Sequence, residues 1–282
     1  MKDTNSEMNT ITVSDVSFSY NGTGKNAVSG VSFSVRPGEH IALVGPNGSG
    51  KTTLFKIING TFRPSSGEAL LGSKNIRSYP VLERARRIAY APQGGRINFP
   101  YTCLELTLMG LHPHRTLSAF PKEADLFRAE EIMRETGVWR FATKSANTLS
   151  GGELQLAFLA RALMQIFPDP LENPSAASPL KKPAAKLLLL DEAFSELDIA
   201  ARISMMKLLN RILEKQRFTI IGIHHDLQLA YRFASRVIAL HQGRVAGDGP
   251  PEKIFTQEFF AKVFEVEAEI IPGKGFLFHG ET

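Results

Sequence analysis

Two spacings of hydrophobic positions divide the chain into strands and helices. Apolar residues fall on every second position at both ends of residues 11–35, which predicts two strands around a loop rich in Gly and Asn. The apolar run at residues 40–44 predicts a buried strand, and residues 53–58 predict a helix that ends at Asn59. Residues 68–72 predict a short strand that completes a small antiparallel sheet.

Helical periods then replace the strand signals before strands and helices alternate again. The predicted helices are residues 103–109, 122–136, 153–167, 200–216 and 226–234, and the predicted strands are residues 88–91, 186–190, 219–223 and 237–241. The second half of this series is the β-α-β alternation of an open parallel sheet. The sequence therefore predicts an α/β fold with a mostly parallel sheet, a small N-terminal antiparallel β subdomain and an inserted helical subdomain at about residues 95–167.

One domain is expected over residues 11–282, with a polar tail at residues 1–10 and a C-terminal extension at about 244–282. A proline-rich insertion at residues 168–185 contains five prolines, so it cannot form a regular helix or strand. The insertion leads into the N-terminal end of the predicted strand 186–190. We therefore expect it to lie away from the carboxyl end of that strand.

A glycine-rich turn with the pattern G-x-x-x-x-G-K-[ST] joins the strand at 40–44 to the helix at 53–58. Its glycines can adopt positive φ angles that point successive backbone N–H groups at one anion, and a P-loop NTPase core is predicted. In such a turn Lys51 binds the β- and γ-phosphates and the Thr52 hydroxyl ligates Mg²⁺. The residues assigned to phosphate binding are Gly45, Pro46, Asn47, Gly48, Ser49, Gly50, Lys51, Thr52 and Thr53. The P-loop alone leaves ATP, GTP, a kinase and a motor open.

Two carboxylates follow a second buried strand. The four leucines at residues 187–190 are followed by Asp191 and Glu192, at the end of the strand where ligands bind in open α/β sheets. We expect Asp191 to hold Mg²⁺ and Glu192 to polarise a water directed at the γ-phosphate. A solvated acidic turn is the alternative, and the P-loop upstream disfavours it.

Two glycines open one of the predicted middle helices. Ser150 and Glu153 have the spacing of a capping box, but the box does not require Gly151 and Gly152. Glycines there let backbone N–H groups approach an anion closely. With the P-loop, these residues resemble the ATP-binding cassette (ABC) family, whose LSGGQ signature contacts the ATP held by the other subunit of a head-to-tail dimer.

The resemblance covers the chain from residue 11 to its C-terminus and implies further roles. Tyr20 corresponds to the aromatic residue that stacks on adenine, and Gln93 to the Q-loop glutamine that contacts Mg²⁺ and the attacking water. His225 corresponds to the switch histidine at the γ-phosphate, and Asp198 lies in the D-loop of the dimer interface. The alternatives are an ordinary strand aromatic for Tyr20 and a turn glutamine for Gln93, while a helix cap at Asp198 is compatible with the interface.

An ATPase with ATP and Mg²⁺ as cofactors is what the resemblance implies. The catalytic residues are then Glu192, His225 and Gln93, and the metal ligands are Thr52, Gln93 and Asp191. Three departures from the family pattern occur: Leu156 replaces a basic residue, Ala193 a proline, and Glu153-Leu154 the glutamine form. None of these departures removes a catalytic group. In the importer group described below, Leu111 stands where an arginine is common.

Composition and charge narrow the class of protein. The 282 residues are 43% hydrophobic, which is enough for a full hydrophobic core. The net charge of +5 is only weak evidence for binding to nucleic acid or to an anionic membrane surface, because the basic residues are scattered along the chain. The single Cys103 excludes an internal disulfide, and we expect it to be a small buried residue. The sequence predicts neither a secretory signal nor a membrane-spanning stretch, so a cytoplasmic location is expected.

Two further segments resemble one group of ABC proteins. Residues 99–114 resemble the Q-loop region of cassettes that serve permeases for iron chelates, haem, cobalamin and some metals, and residues 223–248 and 255–271 resemble their tail. The resemblance implies the ATPase subunit of a bacterial importer for a chelated metal, such as an iron–siderophore, haem or cobalamin. It would act as a homodimer with two integral-membrane permease subunits, and indirectly with a periplasmic substrate-binding protein, on the cytoplasmic face of the inner membrane.

Two other classes remain as alternatives. A soluble cassette ATPase, such as one in iron–sulfur cluster assembly, would share the motifs without a permease. A nucleic-acid-associated cassette is suggested only by the net charge, and those proteins usually carry two cassettes or a long coiled coil, neither of which is predicted. We expect no nucleic-acid partner.

Overall fold

The computed structural model of the chain describes residues 10–20, 26–95, 97–115, 120–168, 186–215 and 218–279. The chain divides into a first unit, residues 1–78 with 219–282, and a second unit, residues 79–218. Residues 169–185 of the predicted proline-rich insertion and residues 1–9 of the predicted tail lie outside the described residues.

The predicted strands and helices occur in the predicted order, and the structure adds elements that were not predicted: β5, β10, β11, β12, α2, α8 and α9. The strands are β1 Ile11–Ser19, β2 Asn26–Val35, β3 His40–Val44, β4 Ser66–Leu71, β5 Lys74–Asn75, β6 Ile88–Ala91, β7 Leu187–Asp191, β8 Thr219–Ile223, β9 Arg236–His241, β10 Arg244–Gly249, β11 Ala268–Ile271 and β12 Gly275–Phe278. The α-helices are α1 Lys51–Ile58, α2 Val81–Ala85, α3 Cys103–Leu108, α4 Glu123–Glu135, α5 Gly151–Ile166, α6 Ile199–Lys215, α7 Leu227–Phe233, α8 Pro251–Ile254 and α9 Gln257–Phe259. Short 3₁₀ segments lie at Ile76–Ser78, Met109–His114, Trp139–Phe141 and Ala146–Thr148, and a π-helical turn lies at Phe260–Phe264.

The first unit contains the predicted small antiparallel sheet, with strand order β2-β1-β4-β5. Ile11 of β1 lies opposite Val35 of β2 on one side and Leu71 of β4 on the other. These three residues are fully buried. The period of two holds from Ile11 to Val13 in β1 and from Val31 to Val35 in β2, and irregular pairing next to Val16 shifts the buried row by one residue.

Parallel strands form the second sheet of this unit. β3 pairs in parallel with β8 on one side and with β9 on the other, and β10 is added antiparallel to β9. Every residue of β3 and of β8 is buried. Strands covered on both faces read as continuous apolar runs, which is why both were recognisable in the sequence.

The C-terminal extension builds a cluster of aromatic rings that the sequence pattern did not predict. Phe255, Phe260 and Phe276 are at most 2% exposed, and the ring centroids of Phe260 and Phe276 lie 4.5 Å apart. The same cluster includes Ala42 and Val44 of β3. The extension therefore covers one face of the strand that leads into the P-loop.

The second unit combines a parallel pair of strands with the helical middle of the chain. β6 pairs with β7 so that Ala91 lies opposite Leu190. Gly110, in the 3₁₀ segment after α3, packs so closely on α5 that a Cβ would lie 2.4 Å from the carbonyl oxygen of Arg161. Cys103 is buried, as predicted, and burial raises the pKa of its thiol to about 11. Within the described ranges, the helices are too short or too polar to cross a membrane.

The aromatic cluster yields a stability prediction. Replacing Phe260 by Ala removes a fully buried ring and leaves a cavity, so the free energy of unfolding should fall by about 3–5 kcal/mol. Phe127→Ala is the matched control because that ring is 68% exposed, and its effect should stay within about 0.5 kcal/mol. Urea unfolding followed by far-UV circular dichroism measures both. Equal effects of the two substitutions would contradict a structural role for the cluster.

Candidate functional site

The turn between β3 and α1 has the backbone of a phosphate-binding loop. Gly45, Gly48 and Gly50 have φ angles of 146°, 74° and 103°. A Cβ on Gly45 would lie 2.1 Å from the carbonyl oxygen of Leu240, and one on Gly50 would lie 2.4 Å from that of Ala27. Glycine is therefore required at these two positions both by the φ angle and by the neighbouring backbone.

Several donors at this turn suit an anion. Among the residues that the structure describes, no side chain caps the start of α1, and the positive end of the helix lies at this turn. The hydroxyl of Ser49 is buried without a hydrogen-bond partner, and Thr52 is exposed in the first helical turn. The Lys51 ammonium donates to the carbonyl oxygens of Gly45 and Pro46, at 2.7 and 2.9 Å. These residues fit the triphosphate of a nucleotide.

Tyr20 lies beside the P-loop helix. Its hydroxyl and that of Thr53 are 3.0 Å apart, and its ring makes edge contacts with Phe18 and Phe62 at centroid distances of 5.2 and 5.9 Å. The side chain is 42% exposed. Tyr20 is therefore fixed next to the phosphate loop with part of its ring open to solvent.

Two adjacent histidines after β8 have opposite environments. His224 is buried, and its ring lies over Gly222, where a Cβ would be 2.5 Å from the imidazole Nε2. Burial, reinforced by the neighbouring His40 and His225, lowers the pKa of His224 to about 3. His224 is therefore neutral at physiological pH, whereas His225 is exposed. Only the second histidine, the one singled out from the sequence, faces solvent.

In the second unit, the two carboxylates at the end of β7, Asp191 and Glu192, each have a partner in or just after β6. The Tyr90 hydroxyl donates to Asp191 Oδ2 at 2.6 Å, and the Gln93 side-chain amide donates to Glu192. Burial, together with the hydrogen bond to Asp191, raises the pKa of Tyr90. The Tyr90 hydroxyl therefore stays protonated and can donate its hydrogen bond. Glu192 has a φ of 49°, a strained conformation for a residue with a side chain.

Tyr90 is a site residue that the sequence pattern did not reveal. Its only signal was a hydroxyl within an otherwise apolar strand, and nothing local connected it with a carboxylate 101 positions away. Gln93 and Glu192, by contrast, were both singled out, and the structure brings them together.

The start of α5 is the predicted capping box. The Ser150 hydroxyl accepts from the Glu153 N–H at 3.4 Å, and the Glu153 carboxylate accepts from the Ser150 N–H at 2.8 Å. The second of these bonds is the main cause that lowers the pKa of Glu153. Gly151 and Gly152 form the first turn of the helix, which therefore begins two residues before the predicted start at residue 153 and directly after the predicted cap, Ser150.

A buried glutamine ties α5 to the residues after β7. Gln155 is 1% exposed, its amide nitrogen donates to Ser195 Oγ at 3.0 Å, and its carbonyl oxygen accepts from the Glu196 N–H at 3.1 Å. Asp198 caps α6 by accepting from the Ala201 N–H at 2.7 Å. The sequence indicated the cap at Asp198 but gave no sign of Gln155.

Comparison with known proteins agrees with these motifs. The model of a family described as ABC transporter matches residues 28–167, and one described as SbcC/RAD50-like, Walker B motif, matches residues 124–211. The chain is 37% identical over 249 residues to the hemin import ATP-binding protein HmuV of Rhodopseudomonas palustris, which covers 88% of each chain. It is 31% identical over 247 residues to the cobalamin import ATP-binding protein BtuD of Halobacterium salinarum, which covers 88% of this chain and 57% of that one.

A solved structure shows the same fold. The dimeric structure of a bacterial ABC transporter cassette superposes with a TM-score of 0.71 at 27% identity, over 86% of this chain and 98% of that one. The predicted α/β P-loop fold is thereby confirmed. Since a relative at 37% identity also spans 88% of the chain, the chain belongs to the ABC transporter family and is one of its ATP-hydrolysing subunits.

Proposed function

We propose that this subunit powers the uptake of a chelated metal through a separate membrane permease, with haem as the first candidate load and cobalamin or an iron–siderophore as related ones. The observation that carries the proposal is the similarity to HmuV, because it extends over 88% of both chains, beyond the motifs that every cassette needs. The relative BtuD is also named for import.

ATP and Mg²⁺ are the proposed ligands. Lys51 exchanges its two carbonyl partners in the loop for oxygens of the β- and γ-phosphates, which carry full negative charge and therefore make stronger hydrogen bonds. Tyr20 stacks on the adenine. Thr52, Asp191 and Gln93 would hold Mg²⁺. The N–H groups of the other P-loop residues, 45, 47–50 and 53, donate to the phosphates, whereas Pro46 has no N–H and only shapes the loop.

Glu192 is the proposed general base for ATP hydrolysis. The oxygen of the attacking water bonds to the γ-phosphorus while Glu192 accepts a proton from that water. The bond between the γ-phosphorus and the β-γ bridging oxygen breaks, and its electron pair leaves with ADP. When bound, Mg²⁺ neutralises negative charge on the phosphates. Gln93 and Tyr90 orient Glu192 and Asp191 through the hydrogen bonds described above. His225, the exposed histidine after β8, contacts the γ-phosphate.

A head-to-tail homodimer completes the proposal. Ser150, Gly151, Gly152 and Glu153 then meet the ATP bound by the partner, and Asp198 lies at the interface. Similarity to a dimeric cassette supports this arrangement. Two permease subunits in the inner membrane, and through them a periplasmic substrate-binding protein, are the further partners, with this chain peripheral on the cytoplasmic face.

Replacing Lys51 by Ala tests the P-loop assignment. Loss of a charge that binds two phosphates should weaken ATP binding at least about tenfold. Lys253→Ala, an exposed change in α8 of the same unit, is the control and should bind like the wild type. Titration with a fluorescent ATP analogue measures both affinities. Unchanged affinity of the Lys51 variant would refute the assignment.

Replacing Glu192 by Gln tests the proposed base. The amide keeps the size of the side chain but cannot accept the proton, so hydrolysis should fall about 100-fold or more while ATP binding persists. The protein should then accumulate as an ATP-bound dimer, measured by size-exclusion chromatography with light scattering in Mg-ATP. Glu214→Gln, a substitution at an exposed position of α6, is the control. It should keep the wild-type rate of ATP hydrolysis and should not accumulate as a dimer. Normal turnover by the Glu192 variant would remove Glu192 from the mechanism.

Joining the chain to its permease tests the import proposal. The chain is reconstituted in lipid vesicles with the permease subunits proposed above. Its ATPase rate should rise, and it should rise again when a haem-loaded periplasmic binding protein is added. The same binding protein without haem is the control. A rate indifferent to the permease would favour a soluble cassette ATPase, and stimulation by DNA or RNA would favour a nucleic-acid role.

A further inference from the structure

The carboxylate of Glu196 fills the space beside the first turn of α5. A Cβ built on Gly151 would lie 1.5 Å from Glu196 Oε2, and one built on Gly94 would lie 3.7 Å from Glu196 Oε1. Gly94 directly follows Gln93. One carboxylate thus lies between the residues after β6 and the glycines at the start of α5.

The backbone that carries this carboxylate is fixed, whereas the side chain itself is exposed. The Glu196 N–H donates to the buried Gln155 at 3.1 Å. Arg202 donates to the carbonyl oxygens of Leu197 and Ser195, at 2.8 and 3.0 Å. Any displacement of the carboxylate must therefore come from rotation of the Glu196 side chain, since its main chain is held on both sides.

The position is electrostatically suited to an anion. The start of α5 carries the positive end of a helix of 16 residues. Glu153 already uses the N–H of Ser150 in the capping box, so Glu196 is the second carboxylate at this turn. A phosphate that approached here would meet the negative charge of Glu196 at short range.

We infer that Glu196 competes with the nucleotide phosphate for the start of α5 and must rotate away before the dimer can close on ATP. The inference rests on the proposed head-to-tail dimer, in which this turn contacts the partner's ATP. Its consequence is that the charge of Glu196 raises the ATP concentration that dimerisation requires. The alternative is that Glu196 is a solvated surface residue that does not affect nucleotide binding.

Dimerisation is measured in the Glu192→Gln background by analytical ultracentrifugation over a series of Mg-ATP concentrations. Adding Glu196→Gln removes the charge but keeps the size, and should lower the ATP concentration for half-dimerisation about fivefold. Adding Glu214→Gln instead should change nothing. The difference should shrink in about 1 M salt, where charges are screened over about 3 Å. The affinity of the dilute monomer for a fluorescent ATP analogue should be equal in all variants.

Several results would overturn the inference. An unchanged or raised ATP requirement in the Glu196→Gln variant excludes charge competition, and a gain in Glu196→Ala but not in Glu196→Gln assigns the effect to bulk. If the parent Glu192→Gln protein stays monomeric in ATP, the proposed dimer is wrong.

A measurement on the monomer tests the placement of Glu196 independently of dimerisation. If the carboxylate lies where a Cβ on Gly151 must go, the shifts in unfolding midpoint caused by Gly151→Ala and Glu196→Ala should not be additive. Additive shifts would place Glu196 elsewhere and overturn the inference.

Discussion

The close approach of the P-loop to its neighbouring strands is the constraint on which the nucleotide site depends. Gly45 and Gly50 touch backbone carbonyls of β9 and β2 where no side chain fits. The Ser49 carbonyl accepts from the Gly243 N–H at 3.1 Å, and the Gly243 carbonyl accepts from the Ser29 N–H at 2.8 Å. The loop is therefore held from two sides before any ligand arrives, so its donors need little reorganisation to meet a phosphate.

The parallel pairing of β6 with β7 brings the two carboxylates and their hydrogen-bond donors together. Because β6 and β7 run side by side, their carboxyl ends present Tyr90 to Asp191 and Gln93 to Glu192. Each acidic group thus has its own donor. Glu192 also has a left-handed φ, a strained conformation of the kind that is common at functional sites.

Helix α5 joins several motifs of the second unit. A Cβ on Gly95 would lie 2.5 Å from the ring of Phe158, so the residues after Gln93 pack directly on this helix. Gln155 of the same helix holds the Ser195–Glu196 backbone. The residues after Gln93 and the segment around Gly110 therefore both pack on the helix whose first turn is the proposed contact with the partner's ATP.

Local chemistry in the sequence determined most of the strands and helices and the P-loop, because period, glycine placement and capping residues act over a few neighbouring positions. It also marked Asp191, Glu192 and the capping box. The strands β5, β10, β11 and β12 were not predicted. Only the tertiary structure decided which side chains meet across long separations: Tyr90 with Asp191, Gln155 with Ser195, and Glu196 with Gly151. It also decided the C-terminal aromatic cluster. Such contacts depend on how distant elements pack, and the spacing of residues along the chain carries no record of that.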